Sequence, residues 1–71
     1  MNDRLVASTI IEALDRNGAL EKEDLYKSVQ KLHGELNPYF FEETLMDLEI
    51  KGLLRVSGMS KDKRRIELTK G

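Results

Sequence analysis

The chain has 71 residues, no cysteine, one histidine and a formal net charge of −1, with 39% hydrophobic and 35% charged residues. This composition excludes disulfide bonds, a thiolate zinc site and a multi-histidine metal cluster, and its balance is typical of a folded protein. No apolar run approaches the roughly 18 residues of a membrane span, and the first residues lack a signal-peptide pattern. We therefore expect one domain over 1–71, cytoplasmic and without a membrane segment.

The charge is distributed unevenly along the chain. Up to Leu54 there are six basic and eleven acidic residues, a net charge of −5, whereas from Arg55 onward six basic residues accompany two acidic ones, a net charge of +4. The overall charge taken alone argues against strong binding to nucleic acid. Any such role would have to depend on the basic end of the chain.

Three helices are predicted, at about 3–16, at about 22–32, and from Pro38 to just before Gly52. The third has the clearest start signal, because an asparagine N-cap is followed by a proline at the first helical position. Residues 19–20 are expected to be a short apolar link. Apolar residues recur at helical spacing and should form the core: Val6, Ile10, Ala13, Leu14, Leu25, Val29, Leu32, Phe41, Leu45 and Leu48.

After Gly52 the apolar period changes from 3.6 to 2. Two strands are expected, at 54–58 and 65–69, joined by a polar connection at 60–63. An isolated hairpin is marginal in water, so its apolar residues should lie against the helices: Leu54, Val56, Ile66 and Leu68. The predicted fold class is α+β, with three helices followed by a two-stranded hairpin.

This order of elements resembles the winged helix-turn-helix superfamily over nearly the whole chain. The pattern Phe41-x-x-x-Leu45-x-x-Leu48-x-x-x-Gly52-Leu53-Leu54 is similar to a recognition helix that leads into the first strand of a wing. The segment 62–71 is similar to the wing of MarR-type regulators, although we assign no subfamily. The resemblance implies duplex DNA binding, with the third helix in the major groove and the wing along the backbone or minor groove.

Basic residues are concentrated in the predicted wing and are the candidate DNA contacts. Such a tip can reach phosphates, and its binding would weaken steeply with salt. Alternatively, these charges only keep an edge hairpin soluble and unpaired. The candidates on the wing are Arg55, Lys61, Lys63, Arg64 and Arg65; Lys27 and Lys31, on one face of the second helix, could add phosphate contacts.

The outward face of the third helix does not fit DNA well. Glu42, Glu43 and Asp47 would be repelled by phosphates, and no base on the outward face compensates them. Tyr39, Met46 and Ile50 form an outward apolar stripe, unless the helix is more deeply buried than the pattern suggests. The alternative function is therefore protein–protein contact, with a partner protein or a second copy, through Tyr39, Glu43, Met46, Asp47 and Ile50.

No residues form a plausible catalytic site. His33 precedes a helix-ending glycine, where a histidine is more often a surface or capping residue than a ligand. The acids at 21–24 are explained by the helix dipole. Because the sequence contains no glycine-rich phosphate loop, nucleophile–base pair or metal-ligand spacing, we expect no enzymatic activity, no cofactor and no metal.

Overall fold

The structure, a computed structural model, describes residues 3–60 and 63–69. It is a small α+β arrangement of three helices and an antiparallel sheet, which is compatible with a winged-helix layout. The three helices and the final hairpin were all predicted from the sequence. In chain order the elements are α1 (Asp3–Asn17), β1 (Leu20–Glu21), α2 (Lys22–His33), α3 (Pro38–Ile50), β2 (Leu54–Ser60) and β3 (Lys63–Leu68).

The start of α3 follows from its capping residue. The Asn37 side-chain oxygen accepts a hydrogen bond from the backbone N–H of Tyr39 at 2.8 Å and a longer one from Phe40 at 3.4 Å. Pro38 occupies the first turn, where a missing N–H removes no helical hydrogen bond. The predicted cap is confirmed, and it sets the direction in which α3 leaves the preceding loop.

The segment expected to be a link contains a strand that the sequence pattern did not predict. Leu20 pairs with Ile66 and Glu21 with Arg65, so that β1 adds to the hairpin and the strand order is β1-β3-β2. Two residues are too few to show a period-2 pattern, and their partner lies more than forty positions away. The prediction of a two-stranded sheet was therefore incomplete.

The β2–β3 hairpin extends beyond β1. Strand β2 pairs with β3 from Leu54↔Leu68 to Ser60↔Lys63, with a register irregularity between Gly58 and Ser60. Both strands are longer at the turn than predicted. In the described residues β1 reaches only as far as Arg65, so 58–60 and 63–64 form a two-stranded end, which we call the hairpin tip.

One apolar cluster holds the helices against the sheet. Within it, the rings of Tyr26 and Phe41 meet edge to face with their centroids 5.1 Å apart. Three residues expected in the core, Ala13, Val56 and Leu68, are only partly buried and pack against the cluster. The buried members are Val6, Ile10, Leu14, Leu25, Val29, Leu36, Phe41, Leu45, Leu48, Leu54 and Ile66.

The predicted core position of Leu32 is wrong, because its side chain is 74% exposed. At the end of α2 the next residue, His33, faces α1 instead. Its Nε2 atom lies 2.8 Å from the Thr9 hydroxyl oxygen. Since that hydroxyl donates to the carbonyl of Leu5, it accepts its second hydrogen bond from His33. His33 is thus a half-buried bridge between two helices, and Leu36 fills the core beyond the turn.

Gly58 should be required for the hairpin to close. A Cβ atom on this residue would lie 2.5 Å from the carbonyl oxygen of Lys63 and 2.8 Å from the Cα atom of Arg64. We expect Gly58→Ala to lower the free energy of unfolding, measured by urea denaturation, by about 1–3 kcal/mol, the range of overpacking substitutions. Ser57→Ala, at the exposed neighbouring position, is the control and should leave stability nearly unchanged. Equal stability of both variants would contradict the close approach.

Candidate nucleic-acid interface and the outward face of α3

Three consecutive basic residues begin β3, and all are exposed. Because side chains alternate along a strand, Arg64 lies on the same sheet face as buried Ile66, whereas Lys63 and Arg65 lie on the opposite face. The hairpin tip therefore offers positive charge on both sides. Lys61, which we predicted as part of this cluster, lies outside the described residues.

Arg64 borders a groove of about 310 Å³ between α3 and the sheet. Apolar residues line the groove, together with a second base, Lys22, from the start of α2. From α3, Glu42, Met46 and Glu49 also line it. Lys22 forms an ion pair with the carboxylate of Glu42. No sequence pattern singled out Lys22, since its position beside α3 depends on how the two helices pack.

The opposite face of the hairpin carries Lys63 and Arg65 next to acidic residues. Glu21 is the Cα partner of Arg65 across the β1–β3 ladder, and Asp24 lines the same surface depression. These carboxylates offset part of the positive charge on this face. Arg65 and Lys63 remain exposed to solvent and free to extend away from them.

Arg55 lies further from the tip and pairs with an acid. It is the Cα partner of Glu67 across the β2–β3 ladder, and the two side chains approach to 3.7 Å. The Arg55 side chain is 68% exposed, and an exposed pair of this kind contributes little to stability. A phosphate could therefore replace Glu67 at small cost.

Lys27 and Lys31 lie on the exposed side of α2, as expected from their spacing. Neither residue lines the groove at Arg64 or the depression at Lys63 and Arg65. The structure therefore does not bring these two bases into the grooves along the hairpin. A role for them in DNA binding stays a prediction.

The outward face of α3 is exposed, as the helical pattern predicts. Tyr39, Met46 and Ile50 are 81%, 60% and 77% exposed, and Glu43, which shares their face, is exposed as well. The alternative of a more deeply buried helix is wrong for these side chains. The result is an apolar stripe of large side chains open to solvent.

Two of the three acids do have basic neighbours, one from α2 and one from the residue that follows α3. Glu42 pairs with Lys22, and the Asp47 carboxylate lies 2.9 Å from the Lys51 ammonium. Glu43 and Glu49 form no ion pair within the described residues. The centre of the outward face therefore keeps its negative charge.

The described ranges contain no group of three or more His, Cys, Asp or Glu residues that could hold a metal ion. None of the helices formed by these residues is long and apolar enough to cross a membrane.

Comparisons with known protein families, with curated proteins and with solved structures found no match. What the surface can do is therefore inferred from its own charge, exposure and geometry.

The cap that positions α3 can be tested directly. We expect Asn37→Ala to lower the free energy of unfolding by about 1 kcal/mol, because two N–H groups lose their acceptor. Asn37→Asp keeps an oxygen acceptor and should retain most of the stability. Chemical denaturation of the two variants and the parent chain measures the difference. An alanine variant as stable as the parent would show that the cap does not hold the helix start.

Proposed function

We propose that this chain is a winged-helix module without enzymatic activity that binds duplex DNA, with the β2–β3 hairpin as its wing. The observation that carries the proposal is the exposed basic run Lys63-Arg64-Arg65, whose first two residues lie at the hairpin tip, beyond β1. The order of helices and strands supports the same assignment. By analogy with the superfamily, such a hairpin lies along the backbone or in the minor groove.

The alternation of the three bases suits a phosphate backbone. Arg64 extends from one face of the hairpin and Lys63 and Arg65 from the other, so a narrow hairpin end can contact phosphates on both of its sides. Arginine binds phosphate through two parallel hydrogen bonds, whereas lysine acts as a point charge. Contacts of this kind position a protein on DNA and carry no direct sequence information.

The outward face of α3 argues against base-specific binding by this helix. Glu43 lies at its centre, between Tyr39 and Met46, and α3 contains four acids and no base. An acid can accept a hydrogen bond from cytosine, but it also meets the repulsion of the phosphates that line the groove. We therefore propose binding that is weakly sequence-dependent and that depends mainly on the hairpin.

The salt dependence of DNA binding tests this proposal. With a random-sequence duplex titrated between about 50 and 200 mM salt, the logarithm of the affinity should fall linearly with the logarithm of the salt concentration. In the double variant R64A/R65A the slope should become shallower by about two, since each lost phosphate contact removes about 0.9. Fluorescence anisotropy of a labelled duplex measures both quantities.

The matched control is R16A/K51A, which removes the same charge from two exposed bases outside the hairpin. It should leave the salt slope nearly unchanged. If both double variants weaken binding equally, binding reflects net charge and the role of the hairpin is wrong. If the parent chain binds no duplex at low salt, the bases serve only to keep the hairpin soluble and the proposal fails.

A further inference from the structure

The exposed residues of α3 follow the spacing of a helix that packs against another helix. Tyr39, Glu43, Met46 and Ile50 are separated by steps of four, three and four, the alternation that keeps one seam of an α-helix facing a partner. We call these four residues the docking stripe. Its three apolar members are mostly exposed, so the described part of the chain does not cover them.

Acids flank the docking stripe on both sides. A step of about 100° per residue places Glu42 and Glu49 along one side and Asp47 along the other. Glu42 is paired with Lys22 and Asp47 with Lys51, whereas Glu49 forms no ion pair in the described residues. Glu43 lies within the stripe itself and forms no ion pair in the described residues. In a pair of packed helices, residues at these flanking positions decide which partner is accepted.

This pattern disfavours a second copy of α3 as the partner. Whether two copies of the helix were parallel or antiparallel, acids of one would lie against acids of the other, which costs free energy. The hairpin of a second copy is also a poor cover, because Arg55, Ser57, Lys63, Arg64 and Arg65, its side chains that are seen to be exposed, are polar or basic and would leave the apolar stripe unmatched. Charge complementarity points instead to a basic, amphipathic partner.

We propose that the docking stripe binds an amphipathic α-helix of another protein, with apolar residues along its seam and Lys or Arg at the flanking positions. A base of the partner lies opposite Glu43, and its apolar residues pack between Tyr39, Met46 and Ile50. Since α3 has 13 residues, it offers about 20 Å of helix, so the contact is short and its affinity modest. This inference is independent of DNA binding by the hairpin.

Two synthetic peptides test the proposal. Both contain about three heptads with leucine along the seam, one with lysine and the other with glutamate at the flanking positions. Titrated into the isotope-labelled chain, the lysine peptide should shift the amide signals of the docking stripe and bind at least about tenfold more tightly than the glutamate peptide. Failure of the lysine peptide to bind at millimolar concentration would overturn the proposal.

Variants distinguish this contact from non-specific hydrophobic binding. Ile50→Glu should weaken the lysine peptide by about tenfold or more, whereas Leu32→Glu, the same change at an equally exposed leucine on α2, should have no effect. Glu43→Lys should reduce the preference for the lysine peptide, because it replaces the acid at the centre of the stripe by a base. Equal loss in I50E and L32E would overturn the proposal, since binding would then require only an exposed apolar residue.

Sedimentation and DNA titration test the two other possible occupants of the docking stripe, a second copy of the chain and DNA. The parent chain should sediment as a monomer at micromolar concentration; a dimer that Ile50→Glu dissociates would assign the stripe to a second copy. Ile50→Glu should also leave duplex binding unchanged, because Ile50, unlike Met46, does not line the groove that Arg64 borders. If this variant lost DNA binding and kept peptide binding, α3 would face DNA and the proposal would be wrong.

Discussion

The burial of Ile66 connects the sheet to the helices, and the placement of every base on the hairpin depends on it. Strand β3 lies between β1 and β2, so Ile66 is paired on both sides, with Leu20 and with Val56. Its side chain is fully enclosed in the same cluster as the helical core. A slip of one residue would place Arg65 or Glu67 in that core, so the register is strongly specified.

Two surfaces of opposite character result from this arrangement. Among the described residues, the bases that follow Leu54 in the sequence lie on the hairpin, and its tip carries Lys63 and Arg64 beyond the reach of β1. The acids of the preceding segment include those of α3, where an apolar stripe is also exposed. Phosphates would be attracted to the first surface and repelled by the second. We therefore propose that the two surfaces bind different classes of partner.

Local signals in the sequence predicted much of the fold. Asn37 and Pro38 marked the start of α3 because capping depends on neighbouring residues, and the exposure of Ile50 followed from helical spacing. Strand β1 could not be predicted, since it depends on a distant pairing with β3, and neither could the ion pair of Lys22, which requires α2 and α3 to be packed. The predicted burial of Leu32 was wrong, because helical spacing does not show that α1 meets His33 at this end of α2.

The most direct test of the division between the two surfaces is to map the amide signals of the isotope-labelled chain as a random-sequence duplex is added at low salt. We predict shifts concentrated at Lys63, Arg64 and Arg65, with the amides of Tyr39 and Glu43 nearly unchanged. Shifts concentrated on Tyr39 and Glu43, with the hairpin unaffected, would contradict this division, because α3 would then be the DNA-binding surface despite its acids.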